Sequence, residues 1–418
     1  MPKKNISNSP NSPQSLLEGI KVLDLSRILA GPWASQNLAD FGATVWKIEK
    51  PKIGDDTRQW GPPYLDRKST EESLSAYFIA ANRGKHSVCI DITQEQGQNL
   101  IIELARKADV LIENFKVGGL KKYGLDYQSV CQINPALIYC SITGFGQTGP
   151  KANEAGYDAM IQATGGLMSI TGDPEESGGK PQKVGVAVTD LMTGMYATTG
   201  ILAALNNRNA TGKGQHIDLS LLDTQIAMLA NQGLNYLVSG QIPKRQGNAH
   251  PNIVPYQTFC CNDGEILLAV GNDQQFVKTC YVLNRIELAE DEQFKSNNNR
   301  VLNRNSLIPH LSKIFLTGSC QHWLDLLQKA GVPCGPVNNI KQTFNEPQVK
   351  HRNMLFELTN EHNQKVPQIA NPLKFSKSKV RYQLPPPILG SSTISVLRQE
   401  LSLSEETISE LKANEVIS

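Results

Sequence analysis

The chain has 418 residues, 39% of them hydrophobic, enough to bury a large core, and its length predicts two or three domains. Its 41 basic and 39 acidic residues leave a net charge of +2, too even a balance for charge to point to nucleic acid or a membrane surface as partner. No apolar run approaches the roughly 18 residues of a membrane span, and the eight cysteines form neither a C-x-x-C pair nor a zinc-type spacing, so a soluble chain with reduced thiols and no metal site is expected.

In chain order, residues 1–18 are rich in Ser, Asn and Pro and read as a disordered tail rather than a signal peptide or presequence. The expected compartment is the cytoplasm, or the mitochondrial matrix should the source be eukaryotic. From Gly19 the pattern becomes that of an α/β protein. A strand at 21–25, a helix at 33–41 stopped by Gly42 and a strand at 44–48 make a β-α-β unit. Strands at 87–91, 109–113 and 136–142 and a helix at 95–107 continue the alternation, which predicts a Rossmann-like domain with a mostly parallel sheet. Farther on come a helix at 201–206, a turn at 211–214, a strand at 215–221 and one long helix at 223–238. A hairpin (256–261 with 265–270, turning at Asn262-Asp-Gly264) and helices at 274–283 and 320–329 mark a second, smaller α+β domain. The predicted organisation is a large domain at 19–225, a small one at 226–340, and a return to the large domain at 341–418.

A Rossmann-like sheet invites a nicotinamide cofactor, but Arg27-Ile-Leu-Ala-Gly-Pro32 has one glycine and a proline where G-x-G-x-x-G is needed. Several cations instead sit at strand ends or adjoining loops: Lys50, Arg58, Arg83 and Lys85 of Asn82-Arg-Gly-Lys85, and Lys121 and Lys122. Each alone reads as a solvated side chain; together, around the crevice of an open parallel sheet, they fit one phosphorylated ligand. No G-x-S-x-G, P-loop or H-E-x-x-H occurs, and Cys260, Cys261, His216 and His250 read as strand or turn residues. Asp190, which follows the apolar run Val184-Gly-Val-Ala-Val188 and Thr189, is the strongest nucleophile candidate, although its local pattern is that of a helix cap.

The ordered series Val22-Leu-Asp-Leu25, Leu29-Ala-Gly-Pro32, Lys47-Ile-Glu49, Gly54-Asp-Asp-Thr-Arg58, Asn82-Arg-Gly-Lys85, Glu113-Asn-Phe115, Gly144-Phe-Gly-Gln-Thr-Gly-Pro150, Gly156-Tyr-Asp158 and Thr211-Gly-Lys-Gly214 resembles the family III CoA-transferases (CaiB/BaiF family) from about residue 19 to the C-terminus. The resemblance implies that Asp190 is the nucleophile, that Ile28 and Leu29 line the thioester end of a CoA pocket, and that Lys50, Arg83, Lys85 and Lys122 lie along the nucleotide and phosphates. Asn114 and Phe115 would hold the adenine and pantetheine path. It further implies CoA and acyl-CoA as substrates with no permanently bound cofactor, a small carboxylic or dicarboxylic acid as the other partner, and an interlocked homodimer. A glycine-containing loop near Gly247 is expected to supply oxyanion donors. Within the family, Ile253-Val-Pro-Tyr-Gln257, Gln274-Gln-Phe276 and the segment from Gly331 to Val349 are similar to the branch that uses succinate and hydroxymethylglutarate. The racemase branch of the same fold, the alternative reading, carries a His and a Glu where Tyr157 and Gln274 stand here, so two groups needed for proton abstraction are missing. A CoA-binding protein without activity is disfavoured by the intact Asp190.

Overall fold

The computed structural model describes residues 15–66 and 74–418. The expected tail lies outside the described residues up to position 14. Its last part does not continue as a tail, since Ser15 is buried and the Leu17 N–H donates to the Phe41 carbonyl at 2.9 Å. The chain forms two compact units. The first comprises the described residues up to Gly165, Gly185–Ala230 and Lys350–Ser418; the second comprises Gly166–Val184 and Asn231–Val349.

In the first unit six strands, β1 (Lys21–Asp24), β2 (Thr44–Glu49), β3 (Lys85–Cys89), β4 (Val110–Glu113), β5 (Ile138–Thr143) and β6 (Gln215–Ser220), form one parallel sheet in the order β3-β2-β1-β4-β5-β6. This is the doubly wound order, whose ligand crevice lies beyond the carboxyl ends of the strands where the order reverses between β1 and β4. The helices of this unit up to residue 230 are α1 (Ala30–Asp40), α2 (Ala76–Ala81), α3 (Glu95–Lys107), α4 (Tyr127–Ile133), α5 (Asp158–Thr164), α6 (Val188–Thr211) and α7 (Leu221–Ala227), and its C-terminal stretch adds Thr393–Leu401 and Glu405–Ala413. Because strand side chains alternate, Leu23, Trp46, Leu111 and Tyr139 face α3, while Val22, Val45, Ile112 and Ile138 pack with Ala34 and Leu38 of α1 and Ala197 and Ile201 of α6. Val396, Leu397, Leu411 and Ile417 from the C-terminal stretch join the α3 side.

Several expected boundaries move. The third strand begins at Lys85, two residues before the expected 87, and α1 begins at Ala30, so that Pro32 sits within its first turn. The long helix expected at 223–238 is two helices, α7 and Ala230–Ser239, because Ala230 takes φ +44 and breaks the run. The antiparallel pair Leu355–Thr359 and Lys365–Ile369 was not expected.

The second unit has the expected hairpin, β7 (Tyr256–Cys260) with β8 (Glu265–Ala269), extended by β9 (Cys334–Pro336). Its core holds Phe259, Leu268, Leu311, Phe315 and Trp323, with Phe259 and Phe315 rings 4.7 Å apart. Residues 166–184, placed in the large domain on sequence grounds, belong to this unit instead. They are tied to its 240s loop by Gly247 N–H on the Gly172 carbonyl and by Arg245 on the carbonyls of Asp173 and Gly179. Among the described residues no helix is long and apolar enough to cross a membrane.

The α1–α6 contact sets the crevice and depends on Gly194. A Cβ there would lie 2.7 Å from the Ala30 carbonyl oxygen and 3.0 Å from Trp33, whereas one at Gly200 would meet only Ile217 methyls at 3.7 Å. Replacing helical Gly by Ala gains about 1 kcal/mol of helix propensity, but overpacking against backbone costs about 1–3 kcal/mol. Gly200→Ala is therefore expected to raise the thermal midpoint and Gly194→Ala to lower it. A calorimetric midpoint raised as much by Gly194→Ala as by Gly200→Ala would show that α1 and α6 are not in backbone contact.

Candidate active site

A cavity of about 790 Å³ opens at the carboxyl end of the sheet, in the size range of ligand pockets. Of the nine residues expected at the site, seven line it: Ile28, Leu29, Lys50, Asn114, Phe115, Lys122 and Asp190. The other two do not. Arg83 is buried, donating to both carboxylate oxygens of Asp40 at 2.8 and 2.6 Å and to the Ile369 carbonyl at 3.0 Å. Lys85 is also buried, with its ammonium on Asn82 Oδ1 at 2.8 Å, the Pro32 carbonyl at 2.9 Å and Asp24 at 3.4 Å. Arg83 precedes β3 and Lys85 opens it, so both stand at the amino end of the strand and their charges are taken up by structural partners. Arg58, also among the strand-end cations, is paired with Glu49 at 2.6 Å. Arg27 and Lys116 line the cavity in their place. Both stand beside singled-out motifs, but nothing in their spacing separates them from solvated cations.

Asp190 is not the cap of its helix. It is the third residue of α6, and the N–H groups of Thr189 and Asp190 both donate to Asp158 Oδ2, at 2.8 and 3.2 Å. Asp158, at the start of α5, therefore caps α6 from a distance. Asp190's own carboxylate accepts no hydrogen bond among the described residues. Burial, with the Asp158 charge adding to it, pushes its pKa up to about 7. An acid so placed combines free oxygens, raised basicity and access to a cavity, the requirements of a carboxylate nucleophile.

Beneath the cavity lies a buried ionic cluster. Lys47 and Asp55 pair at 2.8 Å, both side chains fully buried. Burial would raise the Asp55 acid, but the Lys47 ammonium and the Thr57 hydrogen bonds hold it down to about 2. The Lys47 ammonium also donates to the Ser26 carbonyl at 3.0 Å, and the Ile28 N–H lies 3.3 Å from each Asp55 oxygen. Ile28 has φ +72, a left-handed conformation that a β-branched residue rarely adopts and that costs about 1–3 kcal/mol. Glu113, buried with no cation partner among the described residues, is pushed by that burial up to about 7 and accepts the Phe115 N–H at 2.8 Å. Gly247, the expected oxyanion donor, lies in the second unit and has its N–H engaged by the Gly172 carbonyl at 3.0 Å.

The profile of CoA-transferase family III matches residues 17–393. The chain is 48% identical over 391 residues to the succinate–glutarate CoA-transferase of Agrobacterium fabrum, covering 94% of this chain and 97% of that protein. It is 44% identical over 401 residues to the succinyl-CoA:glutarate CoA-transferase of Homo sapiens, covering 96% and 90%. A crystal structure of a CaiB/BaiF family protein from Brucella suis superposes with a TM-score of 0.81 at 48% identity, over 93% of this chain and 100% of that one. The chain belongs to CoA-transferase family III. It is a CoA-transferase, and acyl-CoA is its substrate rather than a resident cofactor.

An acid whose folded pKa lies near 7, above an unfolded value of about 3.9, binds protons more tightly folded than unfolded, so it erodes stability as pH rises between those values. Asp190→Asn removes that penalty. It is expected to stabilise the chain by about 1–2 kcal/mol at pH 8, after allowing for solvent at this half-buried site, and by less at pH 5. A thermal midpoint at pH 8 no higher than that of the parent chain would mean that the ionised carboxylate has stabilising partners.

Proposed function

We propose that this chain moves CoA from a dicarboxylyl-CoA such as succinyl-CoA to a short free dicarboxylic acid such as glutarate or hydroxymethylglutarate, through a β-aspartyl-CoA thioester on Asp190. The observation that carries the reading is a carboxylate of raised pKa, free of hydrogen bonds within the described chain, on the wall of a cavity that also holds Arg27, Lys50, Lys116 and Lys122 besides the Asp55-paired Lys47. The named activities of the two relatives, at 48% and 44% identity, support the dicarboxylate class.

In the proposed cycle the Asp190 carboxylate attacks the donor thioester carbonyl, the C–S bond breaks, and CoA thiolate leaves behind a mixed anhydride. The thiolate then attacks the aspartyl carbonyl. Cleavage of the anhydride releases the donor acid, carrying one oxygen from Asp190, and leaves the aspartyl thioester. The acceptor carboxylate repeats the steps in reverse and restores Asp190 with one acceptor oxygen. In this reading Lys50, Lys116 and Lys122, which line the cavity, neutralise the CoA phosphates, and Phe115 packs against the ligand. At position 157 the cavity wall presents a phenol where the racemase branch needs an imidazole.

The oxygen route gives a direct test. After turnover with an 18O-labelled acceptor, peptide mass spectrometry is expected to find label in the fragment containing Asp190, and hydroxylamine added with donor alone is expected to convert that residue to a hydroxamate. Asp190→Ala should lose both signals and transfer while still binding CoA. Label on another carboxylate, or near-native turnover by the Ala variant, would remove Asp190 from the chemistry.

An interlocked homodimer is the proposed assembly, and the cytoplasm or the mitochondrial matrix the proposed compartment, in line with eight unpaired cysteines. A threaded dimer should run at about twice the 45.9 kDa chain mass and should not exchange labelled subunits without unfolding. Free exchange on dilution would rule out threading.

A further inference from the structure

The turn that carries Ile28 into the cavity is held at nearly every backbone polar group. Ser26 N–H donates to Asp24 Oδ1 at 2.9 Å and the Ser26 carbonyl accepts from Lys47 at 3.0 Å. The Arg27 N–H donates to Asn114 Oδ1 at 2.9 Å, and Asn114 Nδ2 returns a hydrogen bond to the Arg27 carbonyl at 2.7 Å. Ile28 N–H faces Asp55. The Leu29 carbonyl takes the Trp33 N–H at 2.7 Å as α1 begins. Ala30, at the end of the turn, touches α6 at Gly194, one helical turn beyond Asp190.

Resting on the transferase reading above, we infer that Asn114, together with the buried Lys47–Asp55 pair, is a positioning residue for CoA transfer: it locks Ile28 in the left-handed conformation and so fixes the cavity wall that approaches the Asp190 helix. Two features carry this. A β-branched residue at φ +72 persists only where its surroundings over-determine it, and such sites cluster where geometry serves function. The Asn114 carboxamide, for its part, turns one acceptor and one donor onto a single neighbouring peptide, a reciprocal clamp on the residue next to the strained one. That arrangement gives Asn114 a different task from the direct contact with CoA that the family resemblance implies for it.

A rescue experiment separates the two roles. Glycine adopts the left-handed region without penalty, so Ile28→Gly should restore a turn that has lost its clamp. Asn114→Ala is expected to lower kcat with succinyl-CoA and glutarate about tenfold, to change the calorimetric Kd for CoA by less than about twofold, and to regain at least about threefold in kcat when Ile28→Gly is added. Asn114→Asp, which keeps the acceptor for the Arg27 N–H and loses the donor, should fall between Asn114→Ala and the parent chain. Hydrogen exchange over residues 26–30 should speed up in Asn114→Ala. That readout does not need turnover, so failure of the transfer chemistry and failure of the positioning role can be told apart. A Kd for CoA raised about tenfold at unchanged kcat, losses that multiply in the double variant, or exchange that stays at the parent rate in Asn114→Ala would each overturn the inference.

Discussion

The site depends on a set of buried charges at the carboxyl ends of β1 and β2. Three carboxylates, Asp24, Glu49 and Asp55, meet three cations, Lys47, Arg58 and Lys85, with five of the six side chains fully buried and Arg58 nearly so. Each charge taken from water costs several kcal/mol, and pairing returns that only where the remaining hydrogen-bond capacity is also used. Here it is used on loops. Asp24 holds Ser26 and Ser35; Glu49 holds the Asp55 N–H and the Ser87 hydroxyl; Arg58 reaches the Pro387 carbonyl; Ser87 takes the Gly390 N–H. Apolar side chains of the same volume would remove the desolvation cost and leave those loops without anchors. The cluster thus gives the cavity floor a defined shape rather than added stability.

The pair Asp158–Asp190 applies the same physics to a different end. An acidic residue in the first turn of a helix ordinarily gains about 0.3–1 kcal/mol from the helix dipole and from exposed N–H groups. Asp158 has taken the N–H groups of α6, so Asp190 keeps burial and a like charge as its neighbours, and these outweigh the dipole. The result is a less stable and more basic carboxylate. Stability is given up at one residue while the helix end remains capped.

Much of this architecture was legible in the sequence. The β-α-β alternation through β1, α1 and β2 follows from apolar runs, a proline and a glycine stop, and Asp190 stands out beside its apolar run. What was not legible is long-range. The cap of α6 comes from a residue 31 or 32 positions earlier, so local spacing assigned that task to Asp190 itself. Lys47, inside an alternating strand, looks like a solvent-facing position until Asp55 folds over it. Arg83 and Lys85 precede the expected strand at 87–91 just as they precede or open β3, and nothing in the motif around them reveals that their charges are taken up by Asp40, Asn82 and Asp24. The segment 166–184 carries no composition change to separate it from the large domain; its membership rests on hydrogen bonds from Arg245 and Gly247, some 70 residues away.

The identity of residue 28 brings these strands together. Glycine would take the left-handed turn without strain, but a glycine turn populates other backbone regions as readily and leaves the wall without a side chain. Isoleucine fills the wall with a stiff, branched side chain and accepts a conformational penalty, which the clamps from Asn114, Lys47 and Asp55 offset. The cycle proposed above passes through an anhydride and would need that stiffness, because an aspartyl anhydride or thioester exposed to water is lost to hydrolysis and the CoA is released instead of passed on. A wall whose shape is over-determined from beneath can close on the acyl chain without first paying to order itself, and the buried charges, the strained turn and the close approach at Gly194 are then parts of one constraint on where the thioester can lie relative to Asp190.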